Sequence, residues 1–250
     1  MRPVEYQSRA ALAAASARPM LDHLKQLEAL RGPQARLRSD TAFAARVLAV
    51  KRWQNARLTH WYRDLAAQPR YAPAVAFFLD ELYGTQDSAL RDRDLIRMEP
   101  TMRRLLPDFA FQTVESALEL DLISEEFDQA LAACLAPGPI NGARYAVAFR
   151  AAGQKERRLK QVALMGRVGE GLDVVVAKPF IFTTLKMLRG PAKLAGLGEM
   201  QRFLEAGFTA FRHMAGAEVF LSTIAERETA LIETVFSGAS VDFEVASPVL

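Results

Sequence analysis

Apolar residues recur three and four positions apart along this chain from Asp40 to Phe236, and no stretch longer than a few residues alternates strictly between apolar and polar. Such a chain buries its apolar stripes only as helices packed on one another, because a strand needs a period of two. The pattern therefore predicts an all-α fold, a single multi-helix bundle-like domain of about eight to ten helices. Half of the 250 residues are apolar, enough for a sizeable core without metal or disulfide staples. The single cysteine, Cys134, has no partner for an internal disulfide.

Local signals divide the chain. Residues 1–38 read as a partly ordered N-terminal helical segment, in which Met20 to Leu30 forms a short amphipathic helix ended by Gly32-Pro33. Residues 39–236 form the helical domain, and 237–250 a flexible or extended tail in which Val241, Phe243 and Val245 alternate. Within the domain, Ser39 or Asp40 caps a helix reaching about Ala67, and Pro73 opens another that ends at Gly84. A helix from Asp87 to Leu106 must absorb Pro100, and an acidic helix opening at Pro107-Asp108 is expected to break near Asp121 to Ser124. After Pro137-Gly138-Pro139, helices are expected at 144–152, 154–176, 179–188, 199–214 and 218–236, with 189–198 a Gly- and Pro-rich turn.

Net charge is only +3, too small to imply nucleic acid. Its distribution is uneven: Asp108 to Ile140 holds seven acidic residues and no basic one, between basic flanks. An acidic helix whose outer face pairs with basic neighbours accounts for this. The Ala-rich opening carries Glu5 and Arg9 in place of an apolar signal core, and the apolar stretch Leu172 to Leu188 is interrupted by Asp173, Lys178, Pro179 and Lys186. A cytoplasmic protein without a transmembrane segment is expected.

Catalytic signatures that require a sheet are absent: no Gly-x-Gly-x-x-Gly, no phosphate-binding P-loop, no Gly-x-Ser-x-Gly elbow. A di-iron bundle needs two Glu-x-x-His pairs, and none of the three histidines has that context. His60, with Asp64 one turn on, offers two metal ligands at most, and His60 or His213 as a haem ligand has no attachment motif to support it. No metal or cofactor is assigned. Trp53, Trp61, Tyr62, Tyr71, Phe77 and Phe78 read as core, with a ligand pocket between helices as the alternative.

Two segments stand out as candidate binding residues. In Phe77-Phe78-Leu79-Asp80-Glu81-Leu82-Tyr83-Gly84, acids near a helix C-terminus oppose the helix dipole, and downstream arginines are the expected partners. Asp80, Glu81, Tyr83, Asp87, Arg91 and Asp92 form this first group. The second is Leu188 to Gly198, where Gly196 and Gly198 before a helix, with Arg189, Lys193 and Arg202 nearby, suit a carboxylate or phosphate. Glu199 competes for that positive end.

At these segments the chain resembles a family of uncharacterised bacterial all-helical proteins. The resemblance rests on Phe77 to Gly84 followed by Asp87 and Arg91-Asp92, and on Leu188 to Ala192 with Gly196-Leu197-Gly198 and Gln201 to Glu205, and it spans roughly Trp61 to Phe236. Thr85 stands where such families carry a proline. The resemblance implies a shared helical fold and names no activity. The functional expectation is a non-enzymatic module that binds or regulates a protein partner or associates with itself. The alternative is a protein, or enzyme, taking a small apolar or acidic ligand, such as a lipid, haem or other cofactor, between helices. A buried acid beside basic residues is the feature that favours the alternative.

Overall fold

A computed structural model describes residues 19–32, 35, 40–82 and 89–243. Among them there is no strand, and the helices pack into one compact unit. In chain order they are α1 (19–31), α2 (Thr41–Trp61), α3 (Arg63–Ala66) and α4 (Ala72–Phe77), which runs into a π-helical turn, Phe78–Leu82. Then come α5 (Ala89–Leu105), α6 (Asp108–Cys134), α7 (Gly142–Ala152) and α8 (Lys155–Val176). The chain closes with α9 (Pro179–Met187), α10 (Arg189–Leu194), α11 (Gly198–Met214) and α12 (Glu218–Ser237).

The local chemistry of the sequence is visible at the helix ends. Asp40 accepts a hydrogen bond from the Ala42 amide and starts α2, and Asn141 does the same for the Arg144 amide at the start of α7. Pro73 lies in the first turn of α4. Pro100 lies inside α5, which continues through it. Ala215 ends α11 in the left-handed region, at φ 52°, and Arg70 clamps that end by donating to the carbonyls of Met214, Ala215 and Gly216.

Two expectations are corrected. The acidic helix does not break at Asp121 to Ser124: α6 runs unbroken for 27 residues, since Ser124 Oγ donates back to the Leu120 carbonyl and Asp121 is held by Arg31. Glu125, 3% exposed, meets Arg31 and Lys51 in the interior and not on the outer face. The segment 189–198 is not an open turn, because Arg189–Leu194 is helical. The turn at Gly84, the opening eighteen residues and the tail beyond Phe243 lie outside the described residues.

Three apolar clusters form the core. One gathers Trp53, Leu131, Tyr145, Phe149 and Val235, and Phe243 from the extended stretch after α12 is buried in it. A second gathers Leu58, Tyr71, Phe211, Met214 and Phe220. A third seals α1, through Met20, Leu24 and Leu27, against α5 and α6. Helix α8 is the hub, packing on α6, α11 and α12. Its approach to α12 depends on Gly169, where a Cβ would lie 2.7 Å from Leu221 Cδ1. Gly169→Ala is therefore expected to destabilise the fold by about 1–3 kcal/mol through overpacking, read as a lower urea midpoint.

Candidate functional site

A cavity of about 110 Å³ lies where the first two clusters meet, walled by α2, the π-turn, α6, α7, α8 and α12. Each helix contributes through its ordinary inward spacing: Gln54, Arg57 and Leu58 from α2, Arg158, Gln161, Val162 and Met165 from α8, and Leu221, Ile224, Glu228 and Ile232 from α12. The stripes are those of a core. Their polar members are not.

Arg57 is 5% exposed and donates through both terminal nitrogens to Glu228, at 2.9 and 3.0 Å. Tyr62 adds a hydroxyl donation to the same carboxylate at 2.8 Å, and the guanidinium lies over the Trp61 ring. Burial by itself would depress the Arg57 pKa, but the Glu228 charge holds it above the ordinary arginine range.

The opposite wall is less balanced. Gln54 donates to Asp128 Oδ1 at 2.5 Å and accepts from the Tyr145 hydroxyl at 3.0 Å. Tyr145 stacks on Trp53 at a 4.1 Å centroid separation, and burial pushes its hydroxyl up to about 12. Gln161 donates to Ser124 Oγ. Arg158, 4% exposed, is sandwiched between Phe149 at 3.7 Å and Phe127 at 4.2 Å from its guanidinium carbon. Its Nε donates to the Gly153 carbonyl at 3.2 Å, while Nη2 is buried without a hydrogen-bond partner. Burial pulls its pKa below the ordinary range, against the pull of Tyr145 and Asp128.

Burial also raises the Asp128 carboxyl to about 6, opposed by Lys51 and Gln54 from α2 and by Arg158 from α8, and reinforced by Glu125 on its own helix. An unfolded aspartate titrates near 3.9, so between about pH 4 and 6 the folded state binds more protons and its stability falls as pH rises. Above about pH 6 that contribution is flat. Asp128→Asn keeps an acceptor for Gln54 and is expected to abolish this slope, gaining up to about 2 kcal/mol over wild type at neutral pH. Urea midpoints of both proteins at about pH 4.5 and 7.5 measure the difference.

Of the residues singled out from the sequence, Glu81, Arg91, Asp92, Arg189 and Arg202 lie elsewhere, in two ionic clasps. Arg31 donates to both oxygens of Asp92 at 2.9 Å and reaches Asp121 and Glu125. Lys51 completes Glu125 at 2.6 Å, and Arg91 joins from 3.5 Å of Asp121 while donating to the Glu81 carbonyl. Although burial pushes Asp121 up, Arg31 holds it below the ordinary range. In the second clasp Arg202 grips the Glu81 carboxylate at 2.5 and 3.1 Å and also Glu199 in its own first turn. Arg189 pairs with Glu205. Glu81 thus meets a downstream arginine, Arg202, while Asp80 is exposed and Lys193 makes no ion pair among the described residues. Tyr83 and Asp87 lie outside the described residues. Among the described residues no cluster of three or more His, Cys, Asp or Glu is arranged to hold a metal. His60 contacts Arg63, and His213 lies 3.0 Å from the Pro69 carbonyl.

Gln54, Arg57, Asp128, Tyr145, Arg158 and Glu228 were not singled out from the sequence. Their signal was a charged or polar residue at a position that helical spacing assigns to the buried face, as with Arg158 four residues before Val162. Fold and cavity together define an all-helical domain with a largely apolar chamber in its core that holds a few polar and charged side chains. Residues 34–242 match the family described as DUF8198, a domain of unknown function, and the chain belongs to that family. No curated protein and no solved structure matches it. Among the described residues no helix is long and apolar enough to cross a membrane.

Proposed function

We propose that this chain is a small-molecule-binding protein of the cytoplasm whose site is the cavity between α2, α6, α8 and α12. The observation that carries this reading is a core chamber lined by Arg57, Asp128, Tyr145, Arg158 and Glu228, with the raised Asp128 facing the cationic Arg158. Core stability alone is served better by apolar side chains, and convergent polar groups with shifted titration in an apolar pocket are the usual mark of a ligand site. The volume suits a small compound better than a lipid or haem, since drug-sized ligands occupy about 300 Å³ or more.

Leu221→Trp is designed to fill the cavity from α12, and Ile224→Phe supplies the same comparison if the close packing of Leu221 on Gly169 does not admit the larger ring. Native mass spectrometry of protein purified from its own host is expected to show a released mass for wild type and none for Leu221→Trp. Wild type without any retained compound, and without a cavity resonance that responds to small-molecule probes in solution, would refute the assignment.

A second reading, docking of a protein partner, is supported by the outer face of α9 and α10. Phe180 is 55% exposed, Met187 75% and Leu194 91%, and four cations without an acid lie between Lys178 and Gly198. Met187→Ser with Leu194→Ser is expected to leave the melting temperature unchanged and to abolish capture of an acidic partner; unaltered capture removes this surface from consideration.

A further inference from the structure

We infer that the cavity selects a small organic anion, a monocarboxylate with a short apolar tail, whose carboxylate docks on Arg158. This rests on the reading of the cavity as a ligand site and goes further by naming what enters it.

The argument begins with two arginines in one chamber. Arg57 is matched by the two oxygens of Glu228, a carboxylate that also accepts from the Tyr62 hydroxyl, and only its Nε is buried without a partner. Arg158 is as deeply buried, yet among the described residues no carboxylate lies within ion-pair distance of it, and Nη2 has no acceptor. The Phe127 and Phe149 faces steady the cation without neutralising it. A buried charge lacking a counter-ion is strongly unfavourable in isolation, so an anion arriving there is met by a group already desolvated and fixed in place.

Chemistry narrows the class. A planar guanidinium binds a carboxylate through two parallel hydrogen bonds, and the Gly153 carbonyl and two aromatic rings fix the Arg158 plane before a ligand arrives. The anion must share the chamber with Asp128, which favours a single negative charge over the dianion of a phosphate monoester. When Asp128 carries its proton, its carboxyl no longer repels the ligand, so uptake strengthens below about pH 6. The groups facing Asp128 are Lys51 and Gln54 of α2, Glu125 of α6, Tyr145 of α7 and Arg158 of α8. Elsewhere on the wall Leu58, Val75, Phe78, Leu221 and Ile224 offer apolar surface to the tail. An apolar cavity of about 150 Å³ accommodates benzene, so about 110 Å³ admits an acid of a few carbons and not a nucleotide.

The test compares isovalerate with its uncharged isostere isovaleramide, and with inorganic phosphate, by calorimetry and by amide chemical shifts of the full chain. Wild type is expected to bind isovalerate about tenfold or more tightly than isovaleramide, and more tightly at pH about 5.5 than at about 7.5. Arg158→Met, which replaces the unpaired cation by an apolar chain of similar length, is expected to fold and to lose the preference for the acid. Arg158→Gln supplies the same comparison if the methionine variant does not fold. Leu221→Trp is expected to bind neither compound. Equal binding of acid and amide by wild type, abolished by Leu221→Trp, would overturn the role of Arg158 while leaving the cavity as a ligand site. Phosphate bound without isovalerate would overturn the carboxylate class, and wild type indifferent to all three probes would overturn both readings.

Discussion

Glu228→Ala is expected to lower stability by about 3–5 kcal/mol, because it strands the buried Arg57 guanidinium and leaves the Tyr62 hydroxyl without its acceptor. The loss exceeds what the ion pair itself contributes, since most of it is the desolvation of a charge that has lost its partner. Arg57→Met combined with Glu228→Leu separates the two effects. That double variant removes both charges at once and is expected to recover most of the wild-type urea midpoint. If the single and double variants unfold at the same denaturant concentration, the pair is a net stabiliser in its own right and the desolvation account fails.

Arg31→Ala is the second large effect, about 3–5 kcal/mol by the same mechanism. Arg31 is the common donor to Asp92 and Asp121 and reaches Glu125, and the Asp92 and Glu125 side chains are 5% and 3% exposed. Its loss leaves acids buried around an empty place. The consequence should be regional as well as global. α1 lies before the stretch matched by the family, yet Met20, Leu24 and Leu27 are fully buried, and Arg31 ties its last turn to α5 and α6. Hydrogen exchange is expected to quicken most in 19–31 and in the facing turns of α5 and α6. Unchanged protection of 19–31 would show that the apolar seal alone holds the helix, and that the ionic clasp adds register without adhesion.

Much of the helical frame was legible in the sequence because it is decided within a few residues. The apolar period of α11, Met200, Phe208, Phe211 and Met214, needs only its own chain to specify a buried face. Asp40 marks a helix start because a short polar side chain reaches the free amides of the first turn, whereas Asn141 caps α7, which begins two residues before the expected start. Local chemistry also misled. Asp121 and Ser124 carry the composition of a break, and Arg189 to Gly198 that of an open turn, but in each place partners from elsewhere make the helical form the better one: Arg31 meets Asp121, and Glu205 meets Arg189. Glu81 invited a downstream arginine, and the choice of Arg202 over Arg91 for its carboxylate depended on how α11 crosses the π-turn.

The candidate site lies beyond local chemistry altogether. By itself the sequence determined that this chain is helical, where several of its helices begin and which faces they bury, since periodicity, capping and proline geometry act over one or two turns. Tertiary structure decided which buried charges find each other. Arg57 meets Glu228 across 171 positions of chain, and Arg158, four residues before a buried valine on the same stripe, is brought into the same chamber with no carboxylate within ion-pair distance among the described residues. Nothing in the residues around Arg57 and Arg158 distinguishes the paired arginine from the unpaired one. That difference is set by where α12 places Glu228, and only the packing of distant helices sets it.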